Sequence, residues 1–373
     1  MPRIGAGLPI AFFFSNGVQA MNLKWKNVTC AVAATVALAS GVASGAAHAA
    51  ELNFASWGGN YQGAIRDAWL KPFSKETGIA IHEDTDPQVA KIRAMIDTKS
   101  VTWDVVTENS ARLTRGIKLG VFEKITPDMV KQDHVIANAR NDYGVPSEIF
   151  STNIGFSTQA FPAGKPQPST FADFWDVKKF PGKRTMQDDP ATVIEAALIA
   201  DGVAPADVYK VLATKEGMDR AFKKIEEIKP HVARWWKSGA EPVNALGSGE
   251  VVMALGWNGR FQAGIDSGLP IAMGWGDSIA QVGYFAIVKG SPNRDAAIKL
   301  LNFMIQPKNQ AEFSKYIAYG PTTEAALPLI DAKRLERLPS TTERLKNSIF
   351  LNSDFWDTNG PAITERYNQV RAR

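Results

Sequence analysis

The 373-residue chain carries 42 Lys and Arg against 38 Asp and Glu, and three of the basic residues, Arg3, Lys24 and Lys26, fall in an opening stretch of 50 residues that holds no acid. The remainder is nearly neutral, so the basic balance of the whole chain is no argument for binding nucleic acid or an anionic membrane surface. A hydrophobic content of 45% with 21% charged residues is ordinary for a globular chain, and the length suits two domains.

The opening stretch has the parts of a secretory leader: a positive segment at Met21 to Lys26, a small apolar run from Ala31 to Val42 and an A-x-A site at Ala47-His48-Ala49. Cleavage is expected after Ala49 or Ala50, with Met21 the true start and residues 1–20 an upstream extension. The apolar run is too short to span a membrane securely, and no later stretch reaches the ~20 apolar residues a spanning helix needs. Cys30, the one cysteine, lies in the leader, so the exported chain is expected to rely on its core without disulfides.

From Glu51 the spacing of apolar residues predicts alternating elements. Leu52 and Phe54 mark a first strand, Trp57-Gly58-Gly59 a turn, and Ile65, Trp69 and Phe73 a helix from Tyr61 to Thr77 that stops at Gly78. Ile79 to Ile81 is the next strand, Val89 to Ile96 a helix, Trp103 to Thr107 a third strand, and Ser110 caps a helix ending at Gly120. This alternation predicts a parallel sheet covered on both faces, with ligands at the carboxyl ends of its strands. Asp142 to Pro146 and Ile149 to Ser157 read as two extended segments, with a crossing between lobes near Phe150 to Asn153. Phe171 to Trp175 is a short helix after a proline-rich loop. Thr185 to Asp188 ends a strand, and Asp189 as N-cap with Pro190 at N1 opens a helix to Asp201. Helices at Ala206 to Leu212, Met218 to Ile228 and Ala240 to Leu246 and strands at Val232 to Trp236, Val251 to Leu255 and Ile271 to Trp275 follow. Gly283 to Val288 reads as a strand returning to the first lobe, before helices at Ala296 to Ile305 and Asn309 to Ala318 and a mostly helical tail from Leu335 to Arg373.

Signatures of common chemistry are missing. His82, His134 and His231 stand far apart after the leader, and there is no H-E-x-x-H, C-x-x-C, G-x-S-x-G or Walker loop, so neither a metal nor another cofactor is indicated. Aromatic residues instead cluster where strands end: Trp57, Trp103, Trp257, Trp275 and Tyr284. Beside Gly58, Gly59 and Gly259 they suggest an aromatic-walled cleft into which Asn109, Asp188, Asp189, Asn258 and Arg260 project. Each has a plainer alternative, a core tryptophan, a helix cap for Asp189 or a solvated helix residue for Arg260.

Lys75-Glu-Thr-Gly-Ile79, Trp103-Asp-Val-Val106, Val145-Pro146 with Ile154-Gly155, Asp188-Asp189, Gly249-Glu-Val251 with Trp257-Asn-Gly259, Ala297 to Phe303 and Tyr319-Gly-Pro-Thr322 occur in an order that resembles the spermidine/putrescine-type periplasmic solute-binding proteins of ABC importers. The resemblance runs through nearly all of residues 51–373. It implies an α/β, two-lobed periplasmic-binding-protein fold with two crossing strands and a ligand cleft between lobes. The expected divisions are 1–50 for extension and leader, 51–150 for the first part of lobe 1, 151–282 for lobe 2, 283–330 for the second part of lobe 1, and 331–373 for helices packing across both. The expected partners are a small-molecule ligand and the importer's membrane permease, with the chain a periplasmic monomer that makes no stable membrane insertion.

Residue by residue, the resemblance makes Trp57 and Trp257 aromatic walls, Asp189 an amine anchor and Tyr319 a ligand contact, and puts Asn109 where the family has a serine. The family's other amine-binding acids fall at Gly59, Thr192 and Gly283 (or Phe285), none of them acidic. One carboxylate cannot easily hold both ends of a polyamine, since burying an ammonium unpaired costs several kcal/mol. Arg260 adds a cation suited to a carboxylate. The expected ligand is therefore a small zwitterion or monoamine such as an ω-amino acid, with Asp189 on the ammonium and Arg260 on the carboxylate. A secreted hydrolase using a carboxylate pair and a metal or anion receptor stand as rivals.

Overall fold

The computed structural model describes residues 51–346 and 348–372. The leader expectations lie outside the described residues. Among those described, no helix is long and apolar enough to cross a membrane.

Ten strands form one sheet: β1 (Glu51–Ser56), β2 (Ala80–Thr85), β3 (Val105–Asn109), β4 (Val145–Ser157), β5 (Arg184–Gln187), β6 (Val232–Trp236), β7 (Met253–Trp257), β8 (Ile271–Met273), β9 (Ser278–Ile287) and β10 (Ser348–Phe350). Their order is β2-β1-β3-β9-β4-β7-β5-β6, with β8 on β4 and β10 on β9. β1 pairs parallel with β2 and β3, and β5 parallel with β6 and β7, as strand–helix alternation dictates. The two parallel groups are joined by β9 and β4, each antiparallel to its neighbours in the main path.

The joint falls there because these two strands carry the chain between separate hydrophobic cores. Val145 and Ile149 of β4 belong to one core and Ile154 and Phe156 to the other; β9 passes from Ile279 in the second to the residues Ala280 to Val288 of the first. In the first core Trp69 stacks on Phe313 at 4.2 Å and meets Phe285 edge-on. Full burial of each phenylalanine there contributes about 2–3 kcal/mol. The second core takes in Trp356, Ile363, Tyr367 and Val370 of the C-terminal helix Ser353–Ala372.

Several local expectations change. The first helical stretch begins at Gly59 and contains a π-helical turn, Arg66–Leu70, that buries Trp69. Asn109, not Ser110, caps helix Ser110–Lys118, its side chain accepting from the Arg112 N–H at 2.9 Å. The two extended segments expected at 142–157 are one thirteen-residue strand, with Pro146 tolerated because the register shifts at a bulge between Pro146 and Glu148. Asp189 does not cap a helix starting at Pro190: its Oδ1 accepts from Ala191 N–H in a tight turn, and the helix begins at Val193 after Thr192 in the left-handed region.

Candidate functional site

Five strands, two from one parallel group and three from the other, end on one cavity of ≈ 830 Å³. Trp57 follows β1, Glu108 and Asn109 close β3, Gln187 closes β5 and leads to Asp188 and Asp189, Trp236 closes β6, and Trp257 closes β7. Side chains at these carboxyl ends project past the sheet into the gap between the two parallel groups, which is where an open α/β sheet places a ligand.

Trp57 and Trp257 both line this cavity. The Trp57 ring, 36% exposed, carries the Arg112 guanidinium at 4.4 Å, while Trp257 is held edge-on by Trp236 at 5.4 Å and Phe150 at 6.3 Å. A Cβ on Gly239 would run into the Trp257 ring, so glycine there lets the ring approach the backbone closely. Asn109, Asp188, Asp189, Arg260 and Tyr319 reach the cavity as well.

The other expected residues lie outside its lining. Gly58 and Gly59, at φ of 68° and 60°, turn the chain after Trp57, and the Gly58 N–H donates to the Gln62 side chain at 3.2 Å. Asn258 is fully buried; its Oδ1 accepts from Ser151 N–H at 3.0 Å and its Nδ2 donates to the Ala318 carbonyl at 2.6 Å, which ties the end of β7 to the middle of β4 and to the loop before Tyr319. Trp275 is covered by the Arg344 guanidinium at 3.6 Å, Tyr284 packs in the first core, and Trp103, which precedes β3 and does not stand at a strand's carboxyl end, donates to Asp84 at 2.8 Å.

Sequence reasoning missed two acids. Glu108 and Glu148 line the cavity and are 2% exposed. Glu148 comes from β4 opposite Gly283 of β9, and a Cβ on Gly283 would collide with its carboxyl group. A carboxyl group therefore occupies the space beside position 283 although that position is a glycine. Tyr61 donates to Glu148 Oε1 at 2.8 Å; among the described residues Oε2 has no partner, and neither oxygen of Glu108 has one. Burial pushes Glu148 up to about 7 against the Tyr61 hydrogen bond, and pushes Glu108 up to about 8 against the Arg112 charge. Glu108 was legible as an acid at a strand's carboxyl end. Glu148, in a stretch that mixes apolar residues with Ser147, Ser151 and Thr152, carried no such signal.

Across the cavity, Asp188 pairs with Arg371 of the C-terminal helix and, at 3.5 Å, with Lys237. Burial raises the Asp189 carboxyl, with the Ala191 N–H opposing and Asp188 adding to the rise. Arg260 has a buried Nε without a partner and no acid within ion-pair distance among the described residues. The arrangement offers unneutralised carboxyls and a free guanidinium in one aromatic-walled space, suited to holding a small molecule with charged ends. Among the described residues no group of three His, Cys, Asp or Glu is placed to hold a metal ion.

The sequence profile of the bacterial extracellular solute-binding proteins matches residues 68–340. A gamma-aminobutyric acid-binding protein of Pseudomonas aeruginosa is 35% identical over 333 residues, 89% of this chain and 94% of that protein. A spermidine/putrescine-binding periplasmic protein of Salmonella typhimurium is 26% identical over 79% of the chain and 84% of its own length. Among solved structures, an ABC transporter substrate-binding protein from Bradyrhizobium japonicum USDA 110 superposes with a TM-score of 0.80 at 36% identity, over 86% of this chain and 99% of that one.

Proposed function

We propose that the chain, which belongs to the family of bacterial extracellular solute-binding proteins, captures a small zwitterion of the ω-amino acid class, such as 4-aminobutyrate, and delivers it to the membrane permease of an ABC importer. Export through the leader at Met21 to Ala50 would put it in the periplasm, acting as a monomer. Capture replaces catalysis in this reading, and the carboxylate-pair hydrolase is set aside because the family is one of binding proteins.

The observation that carries the ligand class is Arg260, a cavity guanidinium whose Nε is buried with no acceptor. A buried donor without a partner costs about 1–3 kcal/mol, and a ligand carboxylate would supply the missing acceptor. The ammonium would go to carboxyls that no cation pairs among the described residues, Glu108 and Glu148 on the first-core strands, in preference to Asp189, the anchor expected from sequence, which adjoins the Asp188–Arg371 pair. Trp57 and Trp257 would flank the methylene stem. One of the family's missing acids thus has a substitute in Glu148, beside position 283, and with Glu108, Asp188 and Asp189 four carboxyls line one cavity, which keeps a diamine as the second reading.

Mass spectrometry of small molecules carried through a gentle purification tests the class. An ω-amino acid or related zwitterion is expected in the wild-type protein and is expected to be lost from Arg260→Met, since truncating one partner of a desolvated charge pair costs roughly 2–5 kcal/mol. Spermidine or putrescine retained equally by both proteins would contradict the reading.

A further inference from the structure

Four carboxyls around one cavity would by themselves suit a ligand with two ammonium groups. One pole is already neutralised from within. Arg371 of helix Ser353–Ala372 forms an ion pair with Asp188 Oδ1, and its Nη2 donates to Asn368 Oδ1 at 2.6 Å. The side chain is 21% exposed, lies within 5.3 Å of the Tyr367 ring, and keeps a buried Nε without an acceptor. Lys237 also reaches Asp188, but at 81% exposure its charge is largely spent on water.

Arg371 is held firmly. Tyr367 donates to the Gln187 carbonyl at 2.7 Å and Lys229 to the Val370 carbonyl at 2.7 Å, so the last turn of the helix is pinned beside the end of β5 where Asp188 begins.

We propose that Arg371 is a specificity-determining residue: its guanidinium takes the place that the second ammonium of a diamine would fill at Asp188 and Asp189, so that the cavity accepts a ligand with one cation and rejects one with two. The argument rests on the zwitterion reading above and adds the cause of selectivity. Bringing an ammonium to Asp188 would set it against a fixed, partly desolvated guanidinium, where like charges repel with little screening. At the same time the free Nε–H of Arg371 suits an oxygen of the ligand, so the residue favours the carboxylate end for the reason it disfavours a second amine.

The test is calorimetric titration of wild type, Arg371→Met, Arg371→Gln and Arg371→Lys with 4-aminobutyrate and with putrescine, two linear ligands that differ in the charge of one end. Wild type is expected to bind 4-aminobutyrate at least about a hundredfold more tightly than putrescine. Each neutral variant is expected to gain about tenfold or more in putrescine affinity, while Arg371→Lys keeps the wild-type exclusion. Adding Asp188→Asn to the neutral variant should abolish the gain. If wild type prefers 4-aminobutyrate and the folded neutral variants gain no putrescine affinity, the role of Arg371 is overturned and the ligand class stands. If wild type prefers putrescine, or binds no ω-amino acid, the reading beneath is overturned and the role of Arg371 goes with it.

Discussion

The carboxyl of Glu148 owes its place to a residue that has no side chain. Gly283 leaves room on β9, the bulge after Pro146 sets the register, and Tyr61 fixes one oxygen, so a carboxyl group from one strand fills the space beside the next. Burial raises it to about 7 and Glu108 to about 8, both above the ordinary value near 4.3. A folded-state value above the unfolded one means that the stabilising contribution is complete below pH ~4.3 and is lost as pH rises through the folded value. In the unliganded protein these two acids therefore lower stability progressively from about pH 5 upward, by on the order of 4–5 kcal/mol each once pH exceeds their folded values. Binding of a cation runs the other way, since it needs the carboxylate. Glu148→Gln is expected to raise the urea midpoint of the empty protein at pH 8 and to weaken 4-aminobutyrate about tenfold or more at that pH. A variant with unchanged midpoint and unchanged affinity would remove Glu148 from the account. Sequence could not show this acid, because the family's pattern points to position 283 and the substitute arrives from a strand 135 residues earlier in the chain.

At the scale of elements, the C-terminal helix carries two stripes. Ile363, Tyr367 and Val370 recur at helical spacing and pack into the second core, while Thr364, Asn368 and Arg371, one position along, line the cavity. The helix also bridges: Asp357 pairs with Lys118 of the helix after β3, and Trp356 Nε1 donates at 2.6 Å to Glu195, which also accepts from Tyr209 at 2.9 Å. Burial lifts Glu195 to about 7 in spite of these donors. Trp356→Phe removes one of them and is expected to cost about 1–3 kcal/mol in urea unfolding. It should also weaken ligand binding, because Asn368 and Arg371 lose part of their support; intact affinity at reduced stability would mean that this end of the helix is independent of the site. The helical tail was legible from its periodicity. Its polar stripe was equally present in the sequence, but nothing local says which of two adjacent stripes meets a cavity and which meets water.

For the whole molecule, the strand–helix alternation of residues 51 to 120 correctly indicated a parallel sheet, and the colinear motifs correctly indicated two groups joined by crossing strands. The antiparallel join at β9 and β4 was not readable from alternation alone, since pairing across more than a hundred residues leaves no local trace. That join sets the function proposed here: strand ends from both parallel groups meet at one gap, with Glu108 and Glu148 contributed by strands at the first core and Arg260 by the helix that follows β7. A short zwitterion spanning the gap would link the groups through its two ends, and movement about β4 and β9 would let them close on it. A molecule with cations at both ends would satisfy Glu108 and Glu148 with one end and set the other against Arg260 and Arg371. Calorimetric titration of the leaderless wild-type protein with 4-aminobutyrate, followed by competition with putrescine and spermidine, tests this most directly. The account predicts one-site binding of 4-aminobutyrate that excess polyamine fails to displace; binding of spermidine or putrescine that excludes 4-aminobutyrate would contradict it.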